Sequence, residues 1–158
     1  MELGGVMFNT MSQAQMVINQ TQTKGALALF RQAFARGKIV QLLSLVFNKQ
    51  NHLLSIDQIT QGEDKYARHH VGMKTVPIKM IRGSEGRSMD FDRFFNPIKK
   101  HNMHRWIGVA TMRLKGRALP AVDLVQVGKV FIVIDGHHRI SVAKALGEEF
   151  IEANVTRW

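Results

Sequence analysis

The segment VDLVQVGKVFIVIDGHHRISVAKALG, residues 122–147, constrains the fold most. Its centre, Val130 to Ile134, is apolar at every position, the pattern of a strand covered on both faces. Val122, Leu124 and Gln126 open an earlier strand, and Gly128-Lys129 joins the two. A two-residue loop with glycine first suits a type II′ hairpin. After Asp135-Gly136 the period changes. Ile140, Ala143 and Leu146 then share one face of a helix over 137–146, which Gly147 ends. FIEANV, residues 150–155, returns as a strand. A hairpin, a buried strand and a helix started by a glycine turn imply a small sheet with helices packed on it.

Upstream, residues 11–24 are polar and weakly patterned, a frayed or helical arm. Leu27, Phe30 and Phe34 lie on one helical stripe, and after Gly37 so do Ile39, Leu42, Leu43 and Val46. The spacing predicts two helices, 24–36 and 38–48, interrupted at Gly37. Leu29, Ala33 and Val40 add a second apolar stripe, so this hairpin needs cover from the main domain or from a second copy of itself. Residues 49–73 read as a connector in which Ser55 is placed to cap a short helix. Val76, Ile78 and Met80 alternate with Pro77, Lys79 and Ile81 as a short strand, with Pro77 suited to an edge. A polar loop follows. Asn102 is then placed to cap a helix burying Met103, Trp106, Ile107, Ala110 and Leu114, which Gly116 ends. The expected fold class is α+β: residues 74–158 form a small mixed sheet with packed helices, and residues 1–73 form a helical arm and connector.

The net charge of +10 is not spread evenly. Residues 65–117 hold 13 Lys and Arg against Glu85, Asp90 and Asp92, while the rest of the chain balances. A segregated basic stretch is the footprint of a surface that meets phosphates, of nucleotide, nucleic acid or lipid headgroup. It also serves as a solvated face kept for solubility. The absence of cysteine excludes disulfides, Cys-based zinc sites and a thiol nucleophile. There is no bilayer-length apolar run and no signal-peptide pattern at the start. A cytoplasmic setting without membrane contact is the expectation.

Asp135–Arg139 sits where the buried strand becomes the helix. The first N–H groups of a helix lack partners within it and carry the positive end of its dipole. A phosphate placed there meets aligned donors, and Gly136 permits close approach. Arg139, one turn in, adds a forked donor, and His137 and His138 add donors or ring faces. The plainer reading is a turn in which Asp135 caps the helix.

From VPIKMI through the polar loop to LPAVDLVQVGKVFIVIDGHHRISVAKALGEEFIEANV, about residues 74–156, the chain resembles the ParB/sulfiredoxin superfamily. ParB proteins carry Gly-Glu-Arg-Arg where this chain has Gly136-His137-His138-Arg139. Sulfiredoxins carry Gly-Gly-Cys-His-Arg, which aligns with Asp135 to Arg139. The resemblance implies a ParB/sulfiredoxin-like fold whose turn binds a nucleotide (ATP, ADP or CTP), with or without Mg²⁺. His137 stands at the sulfiredoxin cysteine, so sulfinic-acid reduction through a thiol is excluded. Partition proteins follow this domain with a helix-turn-helix DNA reader, and site-specific DNA reading by that route is not the expectation here.

The expectation is therefore a ParB-like domain that holds a nucleotide or small phosphorylated ligand at Gly136, His137, His138, Arg139 and Arg87, with DNA association through the basic segment. One alternative is a small-molecule kinase of the free-serine-kinase type, with Glu85 as general base and Asp135 gripping substrate or metal. Another is a ParB-like nuclease, with Asp90, Asp92 and histidines around a metal. A homodimer through the N-terminal helices is a further expectation. No metal site is assigned. Asp90 and Asp92 fit a helix start better than a Mg²⁺ site, and His101 and His104 supply only two ligands of the set a zinc ion needs. His69 and His70 add only charge, and Trp106 belongs to the core.

Overall fold

The structure is a computed structural model and describes residues 3–48, 51–55, 58 and 69–158. Its elements are α1 (Leu3–Val46), β1 (His69–Pro77), a 3₁₀ turn (Ile78–Met80), β2 (Ile81–Ser84), a second 3₁₀ turn (Lys100–Asn102), α2 (Met103–Leu114), β3 (Val122–Val127), β4 (Val130–Asp135), α3 (His137–Ala145) and β5 (Phe150–Arg157). The fold is α+β. Its five strands form one mixed sheet in the order β1-β5-β3-β4-β2. β1/β5 and β3/β4 are antiparallel, and β5/β3 and β4/β2 are parallel.

The hairpin follows its turn chemistry. Val127 pairs with Val130, and Gly128 has φ +58° while Lys129 stays outside the left-handed region. Gly147, at φ +80°, ends α3 by giving its N–H to Lys144, while Glu148 N–H reaches the Ala143 carbonyl at 2.9 Å. Gly116 closes α2 in the same manner.

Four expectations are corrected. The stretch Val76–Ile81 is not one strand: β1 ends at Pro77, a 3₁₀ turn covers Ile78–Met80, and β2 begins at Ile81. Pro77 does lie on an edge strand, where a missing N–H costs least. Asp90 and Asp92 start no helix, since the backbone from Met89 to Lys99 is irregular. Asn102 makes no side-chain cap; the Lys100–Asn102 turn leads straight into α2.

The interrupted hairpin is the fourth correction, because Leu3–Val46 is one continuous helix of 44 residues. Its buried stripe is Ala26, Phe30, Ala33 and Gly37. Small residues there let α1 lie close to the domain, so Gly37 is a packing residue and not a break. A Cβ on Gly37 would come within 2.8 Å of the Pro97 carbonyl and 3.0 Å of Ile98. Phe30 meets Trp106 of α2 edge-on at 5.5 Å, and both belong to one buried cluster with Phe91, Leu124, Val133 and Ile140. Past Gly37, Leu42 and Val46 are each more than 60% exposed, so among the described residues that part of the predicted stripe is left open. The dimer expectation rests on this surface.

Asn51–Ser55 is attached to the sheet margin. Leu54 bridges to Gly83 and His52 to Asp92, and Leu53 is buried. Ser55 and Gln58 exchange the reciprocal bonds of a capping box, at 2.9 and 3.3 Å. The rest of that short predicted helix, and of the 49–73 connector up to Arg68, lies outside the described residues.

Two glycines of α1 should respond oppositely to alanine. At Gly25 an added Cβ meets only Leu114 Cδ1 at 3.6 Å, so Gly25→Ala should stabilise by up to about 1 kcal/mol through helix propensity. Gly37→Ala gains the same propensity but forces α1 off the Pro97 backbone, and should destabilise by roughly 1–3 kcal/mol. Urea unfolding of the two variants measures both signs.

Candidate functional site

The site is built on Gly136. Its φ of +102° is a glycine conformation, and a Cβ there would overlap the Val122 side chain of β3. The chain thereby turns from β4 into α3 within one residue. No side chain caps the helix. The first ladder bond runs from Ile140 N–H to the Gly136 carbonyl at 3.0 Å, which leaves the N–H groups of His137, His138 and Arg139 ahead of it without helical acceptors.

Asp135 does not cap these amides. Its carboxylate takes Arg139 Nη2 at 2.5 Å, while Arg139 Nη1 donates to the carbonyls of Pro120 (2.7 Å) and Ala121 (2.5 Å). Arg139 thus ties the segment before β3 to α3, and its forked donors are committed to this task. The ion pair is half open to water, since the Asp135 side chain is 58% exposed.

A cleft of about 520 Å³ opens beside the turn. Asp135 to Arg139 border it on one side. Arg87 and Arg105 bring positive charge, Val109 and Met112 of α2 an apolar wall, and Asp123 and Asn154 a polar rim. Asn154 Nδ2 donates to Asp123 Oδ1 at 3.0 Å. A cavity of about 220 Å³ shares Leu119, Pro120 and Arg139 with the cleft, but the Arg113–Glu148 and Thr75–Glu152 bonds already use its polar groups.

Among the predicted site residues, Asp135, Gly136, His137, His138, Arg139 and Arg87 come together at the cleft. Glu85 does not border it; its backbone N–H bonds the Val133 carbonyl at 2.9 Å and its side chain is exposed. Asp92 is fully buried and organises a turn. Its Oδ1 accepts the N–H groups of Phe94 and Asn96, and Oδ2 accepts the Asn96 amide. Asp90 lies 3.3 Å from Lys99, 3.8 Å from His101 and 3.9 Å from Arg87. Burial alone would raise the Asp90 carboxyl, but Lys99, the Asn102 side chain and His101 outweigh it and hold it below the usual carboxylate value. His104 is exposed, and among the described residues no His, Asp or Glu group is placed to hold a metal ion. Nor, among those residues, is any helix long and apolar enough to cross a membrane.

His137 and His138 are 4% and 5% exposed. Phe91 stacks on the first ring at 6.2 Å and meets the second edge-on at 5.4 Å. Burial pushes both imidazoles down to about 4, helped by Arg87 and His138 at the first and by Arg105 and Arg87 at the second. Both rings are therefore neutral at pH 7. His137 Nε2 pairs with Ser84 Oγ at 2.6 Å, whereas His138 Nε2 is buried without a hydrogen-bond partner among the described residues. Ser84, Arg105, Asp123 and Asn154 are members of the site that the sequence reading omitted. The one signal available was Asp123, the single charge in the strand VDLVQV.

No protein family model matches the chain, and no curated protein matches it. Among solved structures it is similar to sulfiredoxin from Arabidopsis thaliana, at 17% identity over 54% of this chain and 85% of that one, with a TM-score of 0.37. A likeness this loose assigns no residue a role.

The histidines make stability depend on pH. In the unfolded chain they protonate near 6.5, but in the fold not until about 4. The unfolded state binds more protons between these values, so their contribution is full above pH 6.5 and is lost as pH falls toward 4. Urea unfolding at pH 7.5 and pH 5 should show this loss in the wild type. His138→Phe, which removes one of the two groups, should show a smaller loss, and an identical one would refute the assignment.

Proposed function

We propose that the protein binds a nucleotide, or another ligand bearing a phosphate, in the cleft at Asp135–Arg139. One observation carries the reading: three backbone amides at the start of α3 stand uncapped at the edge of a cleft that also holds Arg87 and Arg105. Such amides and the helix dipole favour an anion, and guanidinium groups favour phosphate oxygens in particular. Gly136 itself borders the cleft at the turn that opens the helix. The resemblance of Asp135–Arg139 to the nucleotide-binding turns of ParB and sulfiredoxin proteins points the same way.

Binding is favoured over catalysis on the placement of the acids. Phosphoryl transfer needs a free base beside the acceptor; Glu85 lies outside the cleft, and the Asp135 carboxylate that borders it is engaged by Arg139. Metal-dependent cleavage needs open carboxylates, and both Asp92 oxygens are occupied by the turn they organise. The exposed Lys99, Lys100 and Arg105 extend the positive face beyond the cleft, which suits a longer polyphosphate or a nucleic-acid backbone.

Calorimetric titration with ATP, ADP and CTP, each with and without Mg²⁺, tests the reading. At least one should bind. Arg87→Ala and Arg105→Ala should each weaken it roughly ten-fold or more, the cost of one charge-assisted hydrogen bond. Affinity unchanged in both variants would place the ligand elsewhere.

A further inference from the structure

We propose that Ser84 is a positioning residue: its hydroxyl donates to His137 Nε2 and so fixes His137 as the Nδ1–H tautomer, a neutral donor for a ligand oxygen in the cleft. The ligand half of this statement rests on the reading of the cleft given above; the tautomer half does not.

The argument is a count of donors and acceptors around one buried oxygen. Ser84 is 1% exposed and lies at the end of β2. Its Oγ accepts the Arg87 N–H at 3.3 Å and lies 2.6 Å from His137 Nε2. A hydroxyl has a single proton to give. Were Nε2 the protonated nitrogen, Oγ would accept from both neighbours and its own proton would be buried with no acceptor, since these are the Oγ hydrogen bonds among the described residues. A buried donor left unsatisfied carries its full desolvation penalty. The count closes when the hydroxyl proton points at Nε2, and the imidazole proton then sits on Nδ1.

His137 is neutral at pH 7, so this is its only ring proton. Nδ1 has no hydrogen-bond acceptor in the protein among the described residues, and His137 borders the cleft. The site therefore offers an N–H that stays in place through the neutral pH range, next to the amides of α3. It suits an acceptor oxygen and not an ammonium group. The Ser84 bond also joins the loop that carries Arg87 to the first residue of α3, across 53 positions of sequence.

The wild-type ring decides the first half without any variant. In ¹⁵N-labelled protein at pH 7, long-range ¹H–¹⁵N correlation should show a pyrrole-like Nδ1 and a pyridine-like Nε2 for His137; the reverse assignment overturns the proposal. Ser84→Ala should shift the ring toward the other tautomer and weaken ADP binding roughly three- to ten-fold, the worth of one neutral hydrogen bond. His137→Asn retains an N–H near the Nδ1 position. In that background Ser84→Ala should change ADP affinity by less than about two-fold, within ordinary additivity. A full Ser84 effect in the His137→Asn background would show that Ser84 acts through something other than the ring, and overturn the ligand half. Should the tautomer be as stated while no ADP binds, the reading of the cleft falls and the role of Ser84 in setting the ring stands.

Discussion

The close packing of Gly136 on Val122 governs the rest of the site. Because no Cβ fits there, the backbone can pass from β4 into α3 in a left-handed turn pressed against β3. Asp135 then faces Arg139 and not the helix amides, which stay uncapped. The same geometry brings Arg139 within reach of the Pro120 and Ala121 carbonyls, so the chain entering β3 is fastened to the helix leaving β4. One residue without a side chain thereby sets both the uncapped helix start and the wall beside it.

The other walls are held from a distance. Arg105 stands on α2 next to Trp106, whose indole N–H bonds Ser141 of α3 at 2.8 Å and whose ring meets Phe30 of α1. α1 therefore braces the helix that carries a cleft residue. Arg87 is placed by its backbone bond to Ser84 and by the nearby Asp90 carboxylate, itself surrounded by Lys99 and His101. Among the described residues, the half-buried Asp90 steadies the Arg87 side of the cleft and the exposed Asp135 pairs with Arg139.

What was legible in the sequence was local. The hairpin, the strand-to-helix turn and the glycine stops follow from periodicity and turn chemistry within a few residues of each position, and the mixed α+β sheet follows from them. The parts that were not legible depend on contacts far along the chain. Gly37 reads as a helix breaker until Pro97 is seen against it. Asp90 and Asp92 read as a helix start until Lys99, Phe94 and Asn96 are seen to claim them. The clustering of Asp135 to Arg139 was visible, but the commitment of Arg139 to backbone carbonyls and the pairing of His137 with Ser84 were not. Neither leaves a periodic or spacing signal.

The central claim is that the opening amides of α3 receive an anion. Backbone ¹H–¹⁵N spectra of the full chain titrated with ADP, and separately with inorganic phosphate, observe those amides directly. The account predicts saturable downfield proton shifts at His137, His138 and Arg139, larger than those elsewhere in the chain, with both titrants. Saturating shifts confined to other residues, with these three amides unmoved, would contradict it.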